Sequence, residues 1–132
     1  MKFSEKILKF IKEKIENISS ALTTVTPLLL ESLFNQSVSA DTNFFSSYLT
    51  PSYNSSTFRI YACFDTSGIL SVVKKIEDTE IVIQLNSGRS LNANCLYAFD
   101  IATVSGEEIN FRYSVDAIAL DVKVYEVGAS IS

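Results

Sequence analysis

The N-terminal part of the chain repeats apolar residues at alternating intervals of three and four. These residues are Leu8, Ile11, Ile15, Ile18, Leu22, Val25 and Leu29. Such heptad spacing places them along one face of a helix, where they can form a seam between helices. The pattern predicts a helix over residues 3–25, because Pro27 cannot continue it. Thr26 followed by Pro27 fits the start of a short second helix over residues 27–35.

The seam predicts self-association. β-branched residues recur at both seam positions, which favours a trimer or a higher oligomer over a dimer. Two alternatives stay open. The helix could dock on the protein's own β-domain or on another partner, or its lysine-rich face could lie on a membrane surface.

The C-terminal part alternates apolar and polar residues with a period of two, which is typical of half-buried strands. Phe58, Ile60, Ala62 and Phe64 share one face, as do Ile109, Phe111 and Tyr113. The last strand, 116–127, is predicted to point Ile118, Leu120, Val122 and Val124 inward. Turn residues separate the strands and no helical pattern intervenes. The fold class is therefore mainly β, an antiparallel, jelly-roll-like β-sandwich preceded by an amphipathic helix and an extended arm.

Between these two patterns lies a stretch with few charges. Residues 17–56 carry only two, at Glu31 and Asp41, yet the stretch is rich in aromatic residues: Phe44, Phe45, Tyr48 and Tyr53. The composition predicts an arm that lays these aromatics into a neighbouring subunit and becomes ordered on assembly. A loop packed on its own domain is equally consistent. The predicted division is a helical oligomerisation segment (1–35), an arm (36–56) and a sandwich (57–132).

Composition argues against catalysis. The chain has no histidine, no P-loop and no glycine-rich nucleotide motif, so we predict no enzyme activity, catalytic residue, metal or cofactor. Cys63 and Cys95 are interpreted as small buried residues on strands, with a disulfide left open. A net charge of −4 disfavours nucleic acid as a partner. The apolar run over 21–34 is too short and too polar to cross a membrane.

A carbohydrate-binding module is the competing functional class. Tyr48, Tyr53, Tyr61 and Tyr97 could line a glycan-binding face. Strand propensity alone also accounts for tyrosines in a β-rich chain. In this interpretation the helix only joins several copies of the sandwich, so that their glycan contacts act together and bind more tightly.

The segment 91–127 resembles small β-rich structural proteins of viral particles, including those of tailed viruses. The resemblance lies in Leu96–Ile101, Gly106-Glu107, Asn110–Ser114 and Tyr125–Val127. It implies a virion component of the capsid, decoration, tail or baseplate type. The expected partners are then further copies of the chain and other particle subunits. The expected location is the virion or an extracellular particle, and the cytoplasm before assembly.

Overall fold

Two antiparallel sheets make up the part of the protein that the computed structural model describes, residues 27–129. The strands are β1 (Leu28–Val38), β2 (Ser55–Phe64), β3 (Leu70–Ile76), β4 (Thr79–Gln84), β5 (Tyr97–Val104), β6 (Glu107–Tyr113) and β7 (Ala117–Ala129). A four-stranded sheet has the order β1-β7-β2-β5, and a three-stranded sheet has the order β4-β3-β6. The predicted mainly-β, antiparallel fold is confirmed. The predicted helix over residues 3–25 lies outside the described residues.

The strand pairings are nested along the chain. The outermost pair is β1 with β7, and the pair of β2 with β5 lies inside it. Between them, residues 39–54 run antiparallel to β6, where the Phe44 N–H donates to the Phe111 carbonyl at 2.9 Å and Leu49 exchanges hydrogen bonds with Ile109. The innermost pair is β3 with β4, joined by a turn in which Glu77 has a φ of 55°. The chain is thus one long hairpin, folded so that its legs fall alternately into the two sheets.

The core lies between the sheets and follows the alternation in the sequence. The even-numbered residues of β2 from Phe58 to Phe64 are buried, as are Ile109, Phe111 and Tyr113 of β6. The rings of Phe64 and Tyr113 stack with centroids 3.9 Å apart and so join the two sheets. Tyr113 also donates its hydroxyl to the Thr66 carbonyl at 2.7 Å, which satisfies the polar end of a buried ring. Both predicted faces are confirmed.

Residues 28–38 form a strand, so the predicted short helix over 27–35 is wrong. A local helix-start signal such as Thr26-Pro27 contributes less to stability than pairing with another strand. β7 supplies hydrogen-bond partners along the whole of β1. The structure also differs from the predicted division of the chain. β1 and residues 39–54 belong to the same sandwich as the later strands.

The last strand changes face partway along. β2 pairs Cys63 with Asp121 but Phe64 with Ala119, so Leu120 is an extra residue in β7. This bulge shifts the inward positions by one residue. Val122 and Val124 are buried as predicted, whereas Ile118 is 40% exposed and Ala119 takes its place in the core. The prediction of Ile118 as an inward residue is wrong.

Candidate functional site

The outer face of the four-stranded sheet carries charged and aromatic side chains together. In β2, Arg59 and Tyr61 alternate with buried residues and therefore point outward. Beyond the bulge at Leu120, β7 places Lys123 opposite Tyr61 and Tyr125 opposite Arg59. Directly opposed residues share a face of the sheet.

A groove of about 350 Å³ lies on this face. Its lining consists of Pro27, Arg59, Tyr61, Leu96, Asp121, Lys123, Tyr125 and Val127. A second recess adjoins it and shares Arg59 and Tyr61. A volume of this size is within the range of small-molecule sites. Pro27, the first described residue, also brings the N-terminal end of the described chain to this groove.

The polar groups of the groove are held in a fixed arrangement. The Arg59 guanidinium donates to Asp100 through Nε at 2.7 Å and Nη2 at 3.0 Å, a bidentate geometry. These bonds lower the pKa of the Asp100 carboxyl. The Tyr61 and Tyr125 rings meet edge to face with centroids 5.9 Å apart. The face thus offers aromatic surface beside oriented donors and acceptors, which suits a ligand with hydroxyl groups.

Neither cysteine lines the groove. Cys63, on the outer face of β2, is a free thiol whose pKa is raised by burial and by the charges of Cys95 and Asp121. A raised pKa disfavours the nucleophilic thiolate. Cys95 is exposed in the loop before β5, so the prediction that it lies on a strand is wrong. Across residues 27–129, no cluster of three or more His, Cys, Asp or Glu side chains is placed to hold a metal.

The four tyrosines proposed for a glycan face do not come together. Tyr61 lines the groove, whereas Tyr97 stacks on Phe99 at 6.2 Å and Tyr53 lies exposed elsewhere. Tyr48 belongs to the other sheet, where its hydroxyl bonds to the Glu80 carboxylate. The tyrosine that joins Tyr61 is Tyr125. The alternation that places Val124 inward also places Tyr125 outward, but only the pairing of β2 with β7 brings it beside Tyr61.

Of the aromatic residues of the predicted arm, Phe44 and Phe45 pack on their own domain. Phe45 is 6% exposed, with its N–H and carbonyl both bonded to the side chain of Asn110, at 3.2 and 2.8 Å. The Phe44 ring lies 5.8 Å from that of Phe64. This is the arrangement of the alternative, a loop packed within one chain. That the segment becomes ordered only on assembly stays a prediction.

The seam residues Leu8, Ile11, Ile15, Ile18, Leu22 and Val25 lie outside the described residues, so the oligomer contact they predict stays a prediction. Within residues 27–129, no helix is long and apolar enough to span a membrane. No protein-family model, curated protein or solved structure matches the chain.

Proposed function

We propose that this chain is a non-enzymatic structural subunit of a large assembly, with a jelly-roll-like domain behind an N-terminal oligomerising helix. The kind of assembly we propose is a virion, in which the chain serves as a capsid, decoration or tail protein. The main contact between copies is the heptad seam over residues 3–25.

The nested strand pairing carries this proposal. If residues 39–54 are counted as an edge strand beside β6, each sheet has four strands, and successive pairs nest from the chain ends to the β3–β4 turn. A long hairpin rolled in this way is the plan of a jelly roll, an architecture found in viral capsid and lectin domains. The nesting therefore supports both the viral resemblance and the jelly-roll-like fold.

The exposed apolar residues support a role in assembly. Eleven large hydrophobic side chains are exposed among the described residues, including Phe34 and Leu96 beside the groove and Ile81, Val82 and Ile83 on β4. The three on β4 are consecutive in the chain, and exposed apolar patches are typical of protein interaction sites. Pro27, the first described residue, is exposed, and the proposed helix precedes it in the chain.

The seam is tested by placing charge in it. We expect the full chain to be a trimer or larger in light scattering, and Ile15→Asp with Ile18→Asp to lower its mass. Two carboxylates buried in an apolar seam would cost several kcal/mol, on the order of the penalty for unpaired polar groups. The matched control is Asn17→Asp with Ser20→Asp, which adds the same charge on the opposite face of the helix. A seam variant of unchanged mass, with the β-domain's circular dichroism intact, would exclude the seam as the contact.

A second candidate function is glycan binding in the groove, favoured by the Tyr61–Tyr125 pair beside the Arg59–Asp100 ion pair. On a glycan array, the wild type should give selective hits that Tyr61→Ala with Tyr125→Ala removes. Tyr53→Ala, an exposed tyrosine outside the groove, should leave them unchanged. An array with no hits for the wild type would eliminate this candidate.

A further inference from the structure

β4 presents an open, apolar edge. It is the last strand of the three-stranded sheet, and no other described strand pairs with its outer edge. All its residues are exposed, including Ile81 at 47%, Val82 at 50% and Ile83 at 43%. Both faces of the strand are therefore accessible together with a free row of backbone donors and acceptors.

This edge lacks the features by which proteins protect free strands. Such features are proline, lysine, bulges and inward-pointing charges. β4 pairs with β3 in unbroken register from Thr79 to Gln84 and contains neither proline nor lysine. Its one charge, Glu80, is held by Tyr48 and by Arg112, whose guanidinium lies 3.1 Å from it. The edge strand β1, in contrast, contains a register shift between Leu29 and Glu31 and a left-handed Asn35 with a φ of 50°.

We propose that β4 pairs antiparallel with β4 of a second copy across a two-fold axis at Val82. Symmetry requires the axis of such a pair to pass through a residue, because hydrogen-bonded and non-bonded positions alternate along the strands. Centred on Val82, the pairing places Ile81 opposite Ile83 of the second copy. It also places Glu80 opposite Gln84 of the second copy.

The neighbouring registers fit less well. An axis at Glu80 opposes two carboxylates, and like charges directly opposite one another are destabilising. An axis at Ile81 places Glu80 opposite Val82, and an axis at Ile83 places Val82 opposite Gln84. Only the Val82 register matches apolar with apolar residues and a carboxylate with a neutral amide at every position from Glu80 to Gln84.

The inference deepens the proposed self-assembly, but it uses residues separate from the helical seam. A three-fold seam and a two-fold edge contact would together join trimers into larger particles. The two contacts can fail independently, and the experiments below keep them apart.

Cross-linking tests the register directly. Val82→Cys is made in the full chain with Cys63→Ser and Cys95→Ser, so that the new thiol is the only one. Opposed residues of an antiparallel pair have Cα atoms close enough for a disulfide. We expect a disulfide-linked dimer under mild oxidation, in several-fold greater yield than for Val104→Cys in the same background. Val104 is a matched control, since it is also a 50% exposed valine on an edge strand.

Light scattering tests whether the contact forms without a cross-link. In the seam variant Ile15→Asp with Ile18→Asp, we expect a dimer that Val82→Lys converts to a monomer by opposing two ammonium groups. A monomeric seam variant, or equal cross-linking of the Val82→Cys and Val104→Cys chains, would overturn the two-fold contact. A Val82→Cys chain that forms no dimer while the wild type remains oligomeric would instead indicate that another segment covers β4. That outcome would leave the helical seam intact as the proposed contact.

Discussion

On the outer face of each sheet an arginine bonds to an acidic residue, but the parts of the chain that these bonds join differ. On the three-stranded sheet, Arg112 bonds to Asn43 at 2.7 Å and to Glu80 at 3.1 Å, so residues of the β1–β2 loop and of β4 are tied together across the face. On the four-stranded sheet, Arg59 bonds to Asp100 of the neighbouring strand, and the groove beside this pair is open among the described residues. The two faces differ in how the chain crosses them rather than in the residue types that they carry. The β1–β2 loop is long enough to cross the three-stranded sheet and pair with β6.

This contrast shows where a ligand or a partner can bind. A face crossed by the protein's own loop contributes to stability, because the loop buries apolar side chains such as Phe45 and Leu49. On the four-stranded sheet, the Arg59–Asp100 pair joins two strands of the same sheet. The surface beside this pair therefore stays accessible. Substitutions on the covered face should therefore change stability, whereas those on the open face should change binding.

The largest expected effect comes from the loop's buried aromatic residue. Phe45→Ala should lower the free energy of unfolding by about 3–5 kcal/mol, because it removes a buried ring and leaves a cavity. Phe34→Ala is the matched control: Phe34 is 71% exposed on the edge strand of the open face, and its removal should change stability by less than about 0.5 kcal/mol. Urea denaturation of both variants measures the difference. Equal effects would contradict the distinction between a covered and an open face.

A smaller effect is expected at the amide that fixes the loop. Asn110 is fully buried and bonds to the N–H and carbonyl of Phe45 and to the N–H of Phe111. Asn110→Leu should cost about 2 kcal/mol, the usual penalty for orphaned buried groups. In hydrogen exchange, the amide of Phe45 should lose its protection while those of β2 keep theirs. Asn92→Leu, at an exposed position, is the control, and comparable loss there would contradict a specific role for Asn110.

The smallest effect is on two carboxyl groups, one on each face. Hydrogen bonds from Tyr48 and Arg112 lower the pKa of Glu80, and bonds from Arg59 lower that of Asp100. A lowered pKa in the folded state stabilises the protein above the ordinary pKa values, 4.5 and 3.8, and this contribution is lost as the pH falls through the lowered ones. In an NMR titration, Tyr48→Phe should raise the pKa of Glu80 and leave that of Asp100 unchanged. A shift at both groups, or at neither, would show that Tyr48 does not act locally on Glu80.

The sequence predicts those parts of the fold that depend on local alternation. The inward residues of β2 and β6 follow from their period of two, since both strands are continuous over those positions. The short helix predicted over residues 27–35 rests on the local signal of Thr26-Pro27, and only pairing with β7 decides in favour of a strand. The inward face of β7 was only half predicted, because the bulge at Leu120 arises from pairing with β2 and has no signature in the sequence.

The candidate site was less predictable than the fold. The Arg59–Asp100 pair depends on β5 lying next to β2, which is a property of the topology. The pairing of Tyr61 with Tyr125 depends on β7 lying on the other side of β2, which is again a property of the topology. The four tyrosines that the sequence suggests for a glycan face therefore include one groove residue, Tyr61, and omit its aromatic neighbour, Tyr125.

The central position of β7 has a consequence for the timing of folding during synthesis. β7 is the last described strand to be made, and it is the only described partner of β1. At a synthesis rate of ~5–20 residues per second, β1 therefore waits for several seconds, on the order of 4–16 s, before its partner exists. The predicted seam helix precedes β1 and leaves the ribosome earlier still. If the proposed seam forms, nascent chains on one message would meet through their helices before any of their sandwiches close, and assembly would begin ahead of folding.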